Sequence, residues 1–502
     1  MMTFMLAVLP LVVLVVFIFG FKRSIVQASA AAFITAVSTG LLYWKMTPAY
    51  LSLCLGKGFF LAADIALIVF GALAFFRLLR DIGAIESITH RLAQLTEDGR
   101  IHAILLAWIL GGFIEGMAGF GTPAVILAPL LVALGFSAST SILITLAANS
   151  TAVTFGAVGT PVSVGLAGLY TLQTNTSAAF VNLFCGLLIP PIILWFSIRE
   201  VPENRKSLFW GGFPFAVWSA LAFTLPYYGF SHFGYEFPSL GGSIIGLILV
   251  TASIYWKFLT PRMIFRLRPT VGVTLSSQLP LWKAFFPYLL VILFLIAGKL
   301  WSEKLSIEIV LAENISHRLS LFSPGFILLV AGILTWLFFR GDRFILTRSV
   351  SSAWGSIAKP FFTVLFVGSL VQILLRSHQN TIGVPGMLEV IALPFQTKAL
   401  PLVSPFLGAL GSFLAGSATV SNLLFGGLQA KLASSLGFDT SIILGLQLVG
   451  AGAGNMIALP NCVAVQASVK HTGESWRLLA ELLPYCLLYV VVAGVVGLVL
   501  SM

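Results

Sequence analysis

Apolar residues run through this chain in long, nearly unbroken blocks, near 3–20, 25–44, 58–76, 178–197, 209–226, 239–256, 284–299, 323–339, 357–375 and 478–500. Short polar segments, several of them basic, separate the blocks. A block of roughly twenty apolar residues predicts a helix that crosses the ~30 Å hydrocarbon core at ~1.5 Å per residue. Closed barrels would instead alternate apolar and polar residues over strands of about ten. The pattern therefore predicts an all-α, polytopic membrane protein with about twelve to fourteen crossings.

Two stretches break this rhythm. Near 101–172 and 399–470 the apolar runs are shorter and are separated by Gly, Pro, Ser, Thr and Asn. The first stretch holds Gly112 to Pro123 and Ala148 to Pro161; the second holds Gly411 to Asn422 and Gly450 to Asn461. The order of features repeats. A break and an apolar run lead to Leu134-Gly135-Phe136 and Thr140-Ser141-Ile142, then a second break. About 300 residues later come Leu436-Gly437-Phe438 and Thr440-Ser441-Ile442. One copy follows a basic loop and the other a loop poor in basic residues, so they enter the membrane from opposite faces. That is the signature of an inverted-topology repeat. A single integral domain over 1–502 is expected. Its first repeat covers 55–200 with breaks at 112–123 and 148–161; its second, inverted one covers 355–502 with breaks at 411–422 and 450–461.

Gly and Pro interrupt helices, and backbone groups freed at membrane depth must be buried in protein or line a wet cavity. Half-helix N-termini carry about +0.5 charge and open N–H donors, which suits an anion. One small-residue motif would mean close helix packing; four breaks in paired order favour a binding site.

Composition excludes other classes. Only 9% of the 502 residues are charged, against roughly 25% in soluble domains, and mean hydropathy is +1.02. The net charge of +11 does not point to nucleic acid, because the basic residues cluster between apolar blocks. These clusters are Lys22/Arg23, Arg77 to Arg100, Arg199 to Lys206, Lys257 to Arg268 and Arg340 to Arg348, and they place those loops in the cytoplasm. The stretch 78–100 reads as a helix on the membrane surface, and 3–20 as a retained first span, since its basic pair follows the apolar run. Cys54, Cys185, Cys462 and Cys486 lack metal or redox spacing and read as buried apolar residues. No nucleotide-binding loop, zinc-protease helix or nucleophile elbow occurs, and no cofactor or metal is implied.

Ionisable residues inside apolar blocks are costly and mark function or pairing. Asp64 and Glu115 are the candidates for carrying a proton. Lys359 reads as snorkelling to the interface, and Glu481 as solvated near a span end.

The break sequences resemble the bacterial L-lactate permease family. Phe113-Ile-Glu-Gly-Met-Ala-Gly-Phe-Gly-Thr-Pro123, Ala148-Asn-Ser-Thr151 and Phe155-Gly-Ala-Val-Gly-Thr-Pro161 are similar to its first-half motifs. Gly416-Ser417, Thr419-Val-Ser-Asn422 and Gly454-Asn-Met-Ile457 are similar to its second-half motifs. Asp64 matches an acidic residue of the family's early span. The chain departs from the pattern at Ala152, Ala418 and Pro460, where the family usually has Pro, Asn and His. The resemblance implies a secondary transporter, not an enzyme. It would sit in the bacterial inner membrane and take up a small 2-hydroxymonocarboxylate such as L-lactate or glycolate with protons. On the breaks, the candidate substrate-binding residues are Gly119, Gly121, Thr122, Asn149, Ser150, Thr151, Gly159, Thr160, Ser417, Thr419, Ser421, Asn422 and Asn455. Another carboxylate, a Na⁺/H⁺-type exchanger on the same layout, a passive channel and an intramembrane enzyme are the competing readings.

Overall fold

A computed structural model describes residues 1–119, 121–201, 204–267, 279–301, 306–312, 315–320, 322–471 and 473–502. Phe120 of the first break and Arg268 of the basic clusters lie outside the described residues. The elements in chain order begin with α1 Met2–Gly20, α2 Ile25–Leu42, α3 Pro48–Asp81, α4 Ala84–Ala93 and α5 Gly99–Ala118. They continue with α6 Thr122–Ala133, α7 Ala138–Val153, α8 Gly156–Ser163, α9 Leu172–Ser197, α10 Arg205–Ser231 and α11 Pro238–Tyr255. After α12 Leu281–Trp301 comes a hairpin of β1 Ser306–Ala312 and β2 Ile315–Ser320. The chain closes with α13 Pro324–Phe338, α14 Arg343–Arg376, α15 Met387–Ala392, α16 Leu400–Ala415, α17 Ala418–Leu436, α18 Thr440–Asn455, α19 Leu459–Ser468 and α20 Ser475–Leu500.

Eleven described helices are long and apolar enough to cross a membrane, or twelve when α7 and α8, bent by 55° at their break, count as one span. The shorter apolar helices are α6, α13 and α16. The helical class expected from the sequence holds, with one exception. The polar segment between the apolar blocks 284–299 and 323–339, for which the pattern predicts no element, carries an antiparallel hairpin, with Ser306 opposite Ser320 and Glu308 opposite Arg318. β-Branched Ile307, Ile309 and Val310 favour strand over helix there.

The helices form two compact units. The first comprises Met1–Ile82, Trp282–Leu400 and Leu423–Gly437. Its axis is α3, whose 34 residues extend about 51 Å, well beyond the hydrocarbon thickness. Small residues let neighbours close on it. A Cβ on Gly71 would lie 2.4 Å from the carbonyl oxygen of Gly325 on α13, a distance that only glycine permits.

The second unit comprises Gly83–Leu281, Pro401–Asn422 and Phe438–Met502. At its centre the apolar stretch of α5 is wholly buried, so this span is shielded from lipid. On the outside, α20 exposes Leu487, Leu488, Val491, Val495 and Val499 while burying Cys486, Tyr489, Val490 and Ala493; that split matches a helix with one face to lipid and one to protein. The stretch 78–100, expected as one surface helix, is divided between the end of α3, the short α4 and the start of α5; α4 buries Ile85, Ile88 and Leu92 and exposes Arg91.

Arg100, read from the sequence as a loop charge, is 1% exposed. Its guanidinium donates to Asp98 at 3.0 and 2.6 Å, to the Leu208 carbonyl at 2.7 Å and to the Met263 carbonyl. The Phe265 N–H donates to the same aspartate at 3.1 Å. One satisfied ion pair thus ties the start of α5 to α10 and to the segment after α11. Removing one partner strands the other charge in a dry site. Asp98→Ala is expected to cost about 3–5 kcal/mol in detergent-solubilised unfolding, whereas Arg91→Ala on the exposed face of α4 should stay within about 0.5 kcal/mol.

Candidate functional site

The second unit holds all four sequence breaks, and each has a local cause. After α5 the chain turns at Gly119, with φ +61° and ψ −157°, a region essentially reserved for glycine. Gly121 follows in the left-handed region, and α6 starts at Thr122 with Pro123 in its first turn. At the second break Ala157, Val158 and Gly159 all take left-handed φ, of 44°, 52° and 76°. A β-branched valine there is strained, a cost of about 1–3 kcal/mol that only firm surroundings sustain. The third break turns at Gly416, against the Pro460 ring. At the fourth, Asn461 Nδ2 donates to Asn455 Oδ1 at 2.7 Å and bridges the ends of α18 and α19.

These breaks meet. Gly119 and Gly121 from the first, Gly156, Ala157 and Thr160 from the second, Ser417, Ala418 and Thr419 from the third, and Asn455 from the fourth line one small cavity. It offers about 30 Å³ to the centres of water molecules, room for about two or three waters. Ser417 caps α17, its hydroxyl accepting from Val420 N–H at 3.4 Å. The open first turn of α17, at Ala418 and Thr419, is therefore part of the wall.

Glu115 is the one ionisable residue among the lining residues, and it is 2% exposed. Its carboxyl group fits only because residue 156 has no side chain: a Cβ on Gly156 would lie 2.5 Å from Oε1. Asn149 shares a hydrogen bond with this carboxyl group. Glu115 Oε2 and Asn149 Oδ1 are both buried without a hydrogen-bond partner among the described residues. The wall thus combines three hydroxyls, the Asn455 amide, a helix N-terminus and one carboxyl group, with no fixed cation, and Asn149 stands behind Glu115.

The other expected residues lie behind the wall. Thr122 follows the first turn. Ser150 bonds the Ala147 carbonyl at 2.9 Å, and Ser421 bonds the Gly408 carbonyl at 2.7 Å. Asn422 Nδ2 donates to the Pro161 carbonyl at 3.0 Å, fastening the third break to the second. Gly159 packs against Tyr235. Asp64 does not line the cavity; it belongs to the first unit, 3.3 Å from His317.

Several supporting residues escaped sequence reading. Tyr489 donates to Asn182 at 2.8 Å. Asn182 donates to Thr154 at 3.0 Å and to the Tyr227 hydroxyl at 2.9 Å. Tyr227 donates to the Thr151 carbonyl at 3.1 Å, and the Thr151 hydroxyl lies 2.9 Å from that of Tyr489. Ser239 donates to the Ala152 carbonyl at 2.7 Å. Tyr227 thereby meets the Thr151 carbonyl at the end of α7, and Ser239 adds a side-chain donor to the Ala152 carbonyl, which also accepts from Phe155 N–H at 3.2 Å. Gln447 donates to Ser421 and Asn422 at 3.1 Å each. The available signal was a lone amide or tyrosine inside an apolar run, which marks a partner without identifying it.

The pattern of the L-lactate permease family matches residues 3–308 and 298–502, the whole of this architecture. The chain belongs to the L-lactate permease family. It is 27% identical to a protein named Putative L-lactate permease from Haemophilus influenzae, over 98% of both chains. It is 23% identical to the Glycolate permease GlcA of Escherichia coli, over 94% of this chain and 90% of that one. Among solved structures, that of the Alcanivorax borkumensis YdaH transporter aligns with 86% of this chain and 84% of its own, at 15% identity and a TM-score of 0.44. Membership makes the chain a multi-pass membrane transporter rather than an enzyme, and this permease brings residues of all four breaks to one cavity.

Gln447→Leu tests the stitching behind that wall. It leaves Asn422 Oδ1 and the Ser421 hydroxyl each short of a buried donor, at about 1–3 kcal/mol apiece. The expected outcome is a clear loss of thermal stability in detergent, larger than for Gln379→Leu in an exposed turn.

Proposed function

We propose that this permease takes up a small 2-hydroxymonocarboxylate, L-lactate or glycolate, by proton symport across the bacterial inner membrane. The observation that carries the reading is the convergence of all four helix breaks on a cavity whose one ionisable wall residue is Glu115. A monocarboxylate needs hydrogen-bond donors for its oxygens. The first turn of α17 offers N–H groups, the hydroxyls of Ser417 and Thr419 add directional donors, and Asn455 serves as donor or acceptor for a 2-hydroxyl. The Thr160 hydroxyl gives its proton to the Ala157 carbonyl and faces the substrate as an acceptor, for the 2-hydroxyl. Helix N-termini of this kind attract anions without a fixed cation.

Coupling follows from charge. An anion placed beside an ionised Glu115 would meet a like charge in a dry site. With Glu115 protonated, the loaded cavity carries the single charge of the substrate, which the α17 terminus can balance. Proton and anion therefore favour each other's binding, and that mutual dependence is the requirement for symport. The small cavity admits only a compact solute, and loading requires the breaks to part. The two helix-break-helix units provide the moving parts when read as an inverted repeat. Matching detail supports that reading: Gly135 and Gly437 both have left-handed φ, and each precedes a capped helix, α7 by Ser137 and α18 by Asp439.

In proteoliposomes, labelled L-lactate is expected to accumulate under an inward proton gradient and to leak back when the gradient collapses. Glu115→Gln holds the site in its neutral form. It should keep lactate exchange within about three-fold of wild type and lower gradient-driven accumulation at least about ten-fold. Accumulation by the glutamine variant would refute the coupling role.

A further inference from the structure

The first unit carries a second cluster of ionisable groups that the cavity does not explain. His317 on β2 is 5% exposed. Its ring is stacked on Phe60 of α3, with centroids 5.0 Å apart and planes at 18°, which fixes its orientation. On one side Nε2 lies 3.3 Å from Asp64 Oδ2 but makes no aligned hydrogen bond and has no other partner among the described residues. On the other side the Lys57 ammonium approaches Nδ1 at 3.5 Å. Lysine's tighter contact is the Ser316 carbonyl, at 2.6 Å.

We propose that Asp64, His317 and Lys57 form a proton-binding site separate from Glu115, in which one proton is held jointly by the Asp64 carboxylate and the His317 imidazole. The geometry supports this in three ways. Imidazole and carboxylate face each other at near hydrogen-bonding distance, so the pair takes up a proton as a unit. Lysine is anchored elsewhere, so Nδ1 keeps its capacity for a proton. Lys57 and Asp64 stand seven residues apart, about two turns of α3, so they share one helix face and both side chains reach the same ring. Without the added proton the three groups sum to zero charge; with it they carry +1, the proton coming from water and no other bond breaking.

Other charged groups around the ring are few. On α14, Arg376 acts electrostatically on Lys57 and is itself hydrogen-bonded to Gln372. On the hairpin, Glu308 and Arg318 are exposed, and Arg318 donates to Ser306 at 2.8 Å. Ile309 is the residue paired with His317 across the hairpin. Asp64 therefore supplies the nearest negative charge and Lys57 the nearest positive one.

The site can be tested without any substrate, so it stands or falls apart from the carboxylate reading. The measurement is infrared difference spectroscopy of the reconstituted full chain between acidic and alkaline buffer. The imidazole component absent from His317→Gln isolates this ring among the six histidines. Asp64→Asn should lower the midpoint of that component by about one pH unit or more, and Lys57→Met should raise it, because a carboxylate favours and an ammonium disfavours the imidazolium. Shifts of opposite sign cannot come from general loss of folding. A ring component that titrates at the same midpoint in wild type and both variants would overturn the proposal, as would a wild type in which no such component titrates.

Discussion

A helix broken inside a bilayer leaves backbone groups that lipid cannot solvate, and the second unit is organised around meeting that demand. At the end of α7 Tyr227 meets the Thr151 carbonyl, and Ser239 adds a side-chain donor to the Ala152 carbonyl beside its bond from Phe155 N–H. Asn422 meets the Pro161 carbonyl at the end of α8, Ser421 adds a donor to the Gly408 carbonyl within α16, and Gln447 holds that pair in turn. Each bond lies among buried groups, where an unmet donor or acceptor costs about 1–3 kcal/mol. The breaks are consequently held at many points, and the strained left-handed turn at Ala157 and Val158 is sustained by this network.

The same constraint explains the character of the site. Once the backbone has been satisfied from behind, the remaining polar atoms at the breaks face inward on a shared cavity. Glu115 can occupy that wall because α5 is the buried centre of its unit and because Gly156 leaves room for the carboxyl group. A carboxyl group on a lipid-facing helix would have no such shelter. In the proposed symport, substrate recognition and proton coupling use the same few ångströms, which links them without a separate transmission path.

Much of this was legible in the sequence, for a physical reason. Length and apolarity decide which segments span, and Gly, Pro, Ser and Thr in paired order mark where spans break; both are local properties. Glu115, Thr160, Ser417, Thr419 and Asn455 were therefore found before the fold and do line the cavity. Ser150, Ser421 and Asn422, read in the same way, bond backbone carbonyls behind that wall, because a polar residue at a break reads alike whether it serves substrate or backbone. Which way it points is set by the helix packed against it. Asn182, Tyr227, Gln447 and Tyr489 were invisible for the same reason, since their partners lie 25 to 338 residues away. The β-hairpin was missed because three β-branched residues within a polar loop are too short a signal, and the burial of Arg100 because its partners come from three separate segments.

The central claim, that the four breaks build one site where a carboxylate meets Glu115, is tested most directly by an experimental structure of the reconstituted permease at acidic pH with saturating L-lactate. The account predicts ligand density between Thr160, the first turn of α17 and Asn455, with the carboxylate toward α17 and Glu115 within hydrogen-bonding reach. Density bound elsewhere, with this cavity closed and Glu115 unmoved, would contradict it.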